Sequence, residues 1–160
     1  MNDVASDWTP PVEFYFRVDF QNQNGQKFQA SFGEVSGIGW SFSTTPQKTA
    51  ENEKIQLPQG LNYSNITLKR PVAPLSEDFA KWVNSCLSLM ILSGSNDNWI
   101  KKKSCDVIIK LLDNSGKPLA AWACYHSYPV KYSIGGLNAA NSGLVMETLE
   151  ITYNRLERVV

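Results

Sequence analysis

VIIKLLDNSGKPLAAWACYHSYPVKY, residues 107–132, is the stretch on which the fold turns. Val107, Ile109 and Leu111 are joined by Ile108 and Leu112, so the run is apolar on nearly both faces, as in the middle of a sheet. Asp113-Asn114-Ser115-Gly116 then supplies a hairpin turn, and a return strand starts at Leu119 and continues through Trp122 to Ser133. Pro129 has no amide hydrogen to give to a ladder, so it must sit at an edge, a bulge or an interruption.

Outward from this hairpin the same period recurs. Val12, Phe14, Phe16, Val18 and Phe20 alternate with Glu13, Tyr15, Arg17 and Asp19, a strand with one buried face. Asn24-Gly25 predicts a tight turn into a partner strand carrying Phe28, Ala30 and Phe32. Gly33 and Gly37 bracket a bend, after which Ile38, Trp40 and Phe42 alternate again. At the other end Val145, Glu147, Leu149, Ile151 and Tyr153 face one way, and Met146, Thr148, Glu150 and Thr152 the other. One helix is expected, capped by Ser76, with Phe79, Trp82, Val83, Cys86, Leu87 and Met90 as its apolar stripe and Gly94 as its left-handed end. SNDNWIKKK, after it, reads as a polar connection. The expected class is mainly β: an antiparallel β-sandwich or barrel with one packed α-helix, a single domain over residues 1–160.

Residues 43–65, STTPQKTAENEKIQLPQGLNYSN, break this pattern. Few apolar residues are scattered through them, and a loop of such length in a compact domain is disordered or functional. Lys48, Glu51, Glu53, Lys54, Ile55 and Leu57 mark it as an arm that orders against something else.

Composition excludes several functions. Fifteen basic and fifteen acidic residues cancel and are interspersed apart from Lys101-Lys102-Lys103, so no basic field is available for nucleic acid. The start, MNDVASDWTPPVEF, lacks the pattern of a signal peptide, and no run of eighteen apolar residues occurs, so a soluble chain made in the cytoplasm is expected. Cys86, Cys105 and Cys124 stand nineteen residues apart, without zinc-ligand spacing, and are expected to be reduced and buried. Cys124 and His126, two apart on a strand, would share a face as nucleophile and base, but no third, orienting group is identifiable. Glu147 stands on the apolar face of the last strand and calls for a cation, with Lys131 or Lys69 as candidates. Trp40, Trp82 and Trp122 fall in apolar registers, which leaves Trp8 and Trp99 as tryptophans available to stack on a ligand. No phosphate loop, metal cluster or serine elbow is present. An enzyme is not expected, nor a cofactor; what remains is a protein that completes itself against copies of itself.

FYFRVDF, FGEVSGIGW, NITLKRPV followed by the helix with FAKWV, VIIKLLDNSGKPLAAWACYHSYPVKY and LNAANSGLVMETLEITYNRLERV stand in an order that resembles the inner tube proteins of contractile phage tails and related bacterial contractile injection systems. The resemblance covers nearly the whole chain. It implies hexameric rings whose sheets join into a continuous inner β-barrel, stacked into a hollow tube inside a contractile sheath and driven through a target membrane to deliver cargo. Its implied partners are further copies of itself, sheath protein, baseplate or spike, a tube cap, and protein cargo in the lumen. It makes the arm at residues 43–65 the ring-to-ring contact, with Ile55 and Leu57 buried on stacking. Glu13, Tyr15, Arg17 and Asp19, or Thr148, Glu150 and Thr152, become candidates to line the lumen. The implied place is a cell-released tail-like particle or a virion tail, with no membrane insertion by the single chain. Alternatives are the tube protein of type VI secretion, which shares the fold, and a ligand-binding β-sandwich.

Overall fold

The computed structural model describes residues 16–94 and 97–160. Its strands are β1 (Phe16–Asn22), β2 (Lys27–Ala30), β3 (Glu34–Ser36), β4 (Trp40–Lys48), β5 (Lys54–Tyr63), β6 (Ile66–Pro71), β7 (Cys105–Leu112), β8 (Pro118–Ile134), β9 (Met146–Thr152) and β10 (Arg155–Arg158). Two helices, α1 (Asp78–Ser93) and α2 (Asp97–Lys103), lie between β6 and β7.

Strand β8 holds the architecture together. Its first half pairs with β7 on one side and β10 on the other, and its second half pairs with β9. Between the halves the register slips opposite Cys105 and Val107, His126 takes a left-handed φ of 54°, and Asp106 accepts the His126 amide at 3.0 Å. A strand bent in this way serves two layers. The first runs β2-β1-β7-β8-β10 and the second β8-β9-β6-β3, all pairings antiparallel. Pro129 lies at a second register shift, against β9, as its missing amide requires. The predicted strand from Val12 is described only from Phe16 onward.

Both layers turn apolar rows to one core. Val18 and Phe20, Val107 and Ile109, and Cys124 face Ile66, Leu68, Leu149 and Ile151 across it. At the end under α1, Phe20 stacks on Phe28 at 5.1 Å and meets Phe79 and Trp82 at 5.1 and 5.6 Å, an offset and tilted set favoured by ring quadrupoles. The turns are built as the sequence suggested: Gly25 and Gly116 have φ near +80°, and Asp113 accepts the amides of Ser115 and Lys117, both at 2.8 Å. Gly37 is required twice over, by a φ of +88° and by an Asn65 carbonyl oxygen 2.3 Å from where a Cβ would stand.

Three expectations are corrected. The helix begins at Asp78 with Glu77, not Ser76, at the N-cap position; the Glu77 carboxylate accepts from Arg70 and makes no capping hydrogen bond. SNDNWIKKK is not merely a connection, since Asp97–Lys103 form α2; seven residues with two apolar positions are too short to show a helical period. The arm is not a loop, for β4 and β5 pair along their length as an antiparallel hairpin.

Candidate assembly site

Hairpin β4–β5 stands away from the core. Its residues are exposed along both strands, Tyr63 and the turn residue Thr49 alone being partly covered, and it is moored at its base, where Tyr63 packs on Tyr153 at 5.4 Å and the Tyr153 hydroxyl donates to the Gly39 carbonyl at 3.2 Å. With nine residues on one side, it reaches roughly 30 Å at about 3.3 Å per residue. Trp40 and Phe42 are 58% and 54% exposed although their alternation reads like that of a core strand. They share a face with Tyr63 and Leu61, their cross-strand partners.

A bulge changes the apolar side. Ser43 pairs with Gly60 and Thr44 with Pro58, so Gln59 is the extra residue, and its side-chain oxygen accepts a hydrogen bond from Thr45. Beyond it Leu57 stands opposite Thr45 and Ile55 opposite Gln47, the face that Trp40 and Phe42 do not occupy. Glu53 continues that face beside Thr49, whereas Lys48 and Lys54 face each other on the opposite one. The base and the tip of the hairpin are therefore apolar on opposite sides.

A second uncovered surface lies between α1 and the far half of β8. It is a groove of ≈ 890 Å³ walled by Leu75, Val83, Leu87, Met90 and Val130, closed at one end by Trp99 and Ile100, and floored by Arg70, Tyr132 and Glu147. Along α1 the predicted stripe is divided: Phe79, Trp82 and Cys86 enter the core, while Leu87 and Met90 look outward into this groove. Arg70 is buried and gives its Nε to Glu147 at 2.5 Å and its two terminal nitrogens to Glu77 at 2.7 and 2.6 Å. The rings of Phe79 and Phe32 lie 4.6 and 5.5 Å from its guanidinium carbon. Tyr132 donates its hydroxyl to the other Glu147 oxygen at 2.9 Å, and burial followed by this carboxylate raises the tyrosine's pKa. Burial lowers and the two glutamates raise the pKa of Arg70, with a net upward result. The cluster fastens α1 to the second layer; its groups are already paired with one another.

The cation for Glu147 is thus Arg70 and neither Lys131 nor Lys69. Lys69 is on the outer face of β6 and meets Glu34 at 3.4 Å, and Lys131 stands opposite Glu150 on the outer face of the second layer. Parity along β6 held the signal, since Arg70 follows Ile66 and Leu68 at a period of two. Of the polar rows considered for a lumen, Glu13 and Tyr15 lie outside the described residues. Arg17 and Asp19 are on the outer face of the first layer, where Asp19 also binds Lys110 at 2.7 Å. Thr148, Glu150 and Thr152 are on the outer face of the second. Both layers turn their inner rows to one core, so these two groups point away from each other.

Other candidates do not assemble into sites. Cys124 is buried and its thiol is pushed up to about 12 by that burial, while His126 sits exposed at the bend of β8, so the two do not form a nucleophile and base. Trp99 is 8% exposed and packs edge-on against Tyr128 at 5.1 Å, which removes it as a ligand platform; Trp8 lies outside the described residues. Among the described residues no group of metal-ligating side chains converges, and no helix is long and apolar enough to cross a membrane.

A family model for the T4-like virus tail tube protein gp19 matches residues 12–157. The chain belongs to that family. It is a family of structural tube proteins rather than enzymes. No curated protein matches the sequence. Among solved structures this tail tube family member is similar to a chain of the 6-fold symmetrised anti-feeding prophage baseplate, with a TM-score of 0.77 at 23% identity over 95% of this chain and 97% of that one. A chain of the anti-feeding prophage cap gives 0.76 at 19% identity, over 99% and 98%. A chain of the PVC sheath–tube complex, an extracellular contractile injection system in the extended state, gives 0.72 at 19% identity, over 93% and 90%. Hcp1 of E. coli EAEC 042 is more distant, at 0.52 and 7% identity over 88% and 87%. The fold is thus shared with chains of contractile-system assemblies, with Hcp1 further off.

Proposed function

We propose that this chain is the inner tube subunit of a phage tail-like contractile injection system. Copies close into hexameric rings, the rings stack into a hollow tube inside a contractile sheath, and sheath shortening drives the tube through a target membrane with its protein cargo. The observation that carries this reading is the β4–β5 hairpin: in a member of the tail tube family, a long arm holds Trp40, Phe42, Ile55 and Leu57 exposed, uncovered among the described residues. Large apolar side chains gathered on a projecting arm mark a contact surface. We assign the hairpin to contacts between copies, its tip reaching the next ring.

The fold likeness to chains of baseplate, cap and sheath–tube assemblies supports sheath, baseplate and cap as the other partners, in a particle that acts outside the producing cell. For the channel wall we assign the outer face of the second layer. Thr148, Glu150 and Thr152 stand there beside Thr67 and Ser133, with Glu34 paired to Lys69 and Lys131 opposite Glu150, a wall of short polar groups and balanced charge. The edges of that layer, β3 and the far half of β8, lack a further partner strand among the described residues and are where neighbouring copies would continue the sheet.

Negative-stain microscopy of the purified chain tests the reading. Six-membered rings or stacks of them are expected, and a uniform single-copy species at high concentration would overturn it.

A further inference from the structure

The stacking read above leaves open where the hairpin tip lands, and a second uncovered surface of the same chain complements it. The outward tip face carries Glu53, Ile55 and Leu57 in succession, one acid and two apolar side chains, with Glu51 in the turn beside it. The groove between α1 and β8 offers apolar walls and, at its rim, cations. Helix α2, whose Trp99 and Ile100 close one end, continues into Lys101 and Lys102, both exposed. Neither Glu51 and Glu53 nor these two lysines form an ion pair among the described residues. The acid on the groove floor is no competitor, because Glu147 is held by Arg70 and Tyr132.

We infer that this groove is the socket for the hairpin tip of a second copy, Ile55 and Leu57 entering between α1 and β8 while Glu51 and Glu53 meet Lys101 and Lys102. The inference rests on the tube reading for the hairpin and names its receptor. The groove volume, ≈ 890 Å³, is within the about 300–1,000 Å³ range of sites that enclose a few large groups. Charges of opposite sign fix the register and the apolar pair supplies the holding energy, the usual division at an interface. Lys48 and Lys54, on the other tip face, point away from the lysine rim.

Two experiments on the full chain test it. In the first, Leu57→Cys is combined in turn with Leu87→Cys and Met90→Cys, and stacks are oxidised. The native thiols are buried, so background bridging is low. Disulfide-linked chains in stacked material are expected, each bridge joining two copies. In the second, Lys101→Glu with Lys102→Glu, and separately Glu51→Lys with Glu53→Lys, should each lower the stacked fraction by about tenfold, and combining all four should restore it. Stacks that form normally with either charge reversal and give no bridge at either position would overturn the socket and leave the tube reading standing. A wild-type chain that never self-associates would overturn both.

Discussion

Replacing Arg70 by methionine leaves Glu77 and Glu147 side by side under α1 with no cation between them. Arg70 is the residue through which helix, second layer and the rings of Phe32 and Phe79 are joined. Breaking a buried pair from one side costs about 3–5 kcal/mol, so Arg70→Met should lower the unfolding free energy, read from urea titration, by that much. Arg70→Lys should recover only part of it, because an ammonium cannot serve Glu147 and both Glu77 oxygens together. A second test concerns alkali. Burial pushes Cys86, Cys105 and Cys124 up to about 12 from 9.0, and Tyr153 up to about 12 from 10.0. Above pH 9 the unfolded chain releases these protons while the folded one keeps them. Stability is therefore full below that pH and falls as pH rises toward 12. Urea midpoints at pH 8 and pH 10.5 should show the decline, and Cys124→Ala should make it shallower, with Cys86, Cys105 and Tyr153 carrying the rest; a midpoint that does not change over this interval would contradict the assignment.

At the scale of elements, the hairpin is the piece the body does not need. Joining Ser43 to Gly60 through an Asn-Gly turn removes residues that are all exposed apart from the turn residue Thr49 and keeps the Tyr63–Tyr153 mooring. The shortened chain should unfold within about 1 kcal/mol of the parent, since surface changes remove little buried area. It should form no ring stacks, a pair of outcomes read by urea unfolding and microscopy. This independence also explains what could be read from sequence. Strands β1, β7 and β9 and helix α1 were legible because each buries one face, and burial writes a period into the residues. The hairpin buries neither face, so Ser43–Asn65 carried no period and resembled a loop, while Trp40 and Phe42 carried a period that a core strand and a projecting one share. α2 was invisible because its seven residues carry only two large apolar side chains, Trp99 and Ile100. In the candidate site, the acids and the apolar pair of the arm were recognisable by their setting, but the groove was not: Leu87 and Met90 belong to the same helical stripe as Phe79 and Trp82, and only the packing of β8 decides which half is covered.

At the scale of the whole molecule, the question is whether a single copy is finished. An isolated two-stranded hairpin is marginally stable in water, and this one is held at its base alone. In a dilute, single-copy sample its ladder amides should open locally with little free energy, whereas amides of β7 and the first half of β8 exchange only through global unfolding. Assembly changes this if neighbours cover both sides of the hairpin, the base through Trp40 and Phe42 and the tip through Ile55 and Leu57. Hydrogen exchange should then slow across residues 40–63 by at least about tenfold in stacked material, with the tip slowed only in stacks and the base already slowed in single rings. The bulge at Gln59 is what makes two steps possible, because it turns the apolar side from one face to the other between base and tip. Equal protection of the hairpin in single copies and in stacks would mean that the arm is complete by itself, and the physical reason for a tube would be gone.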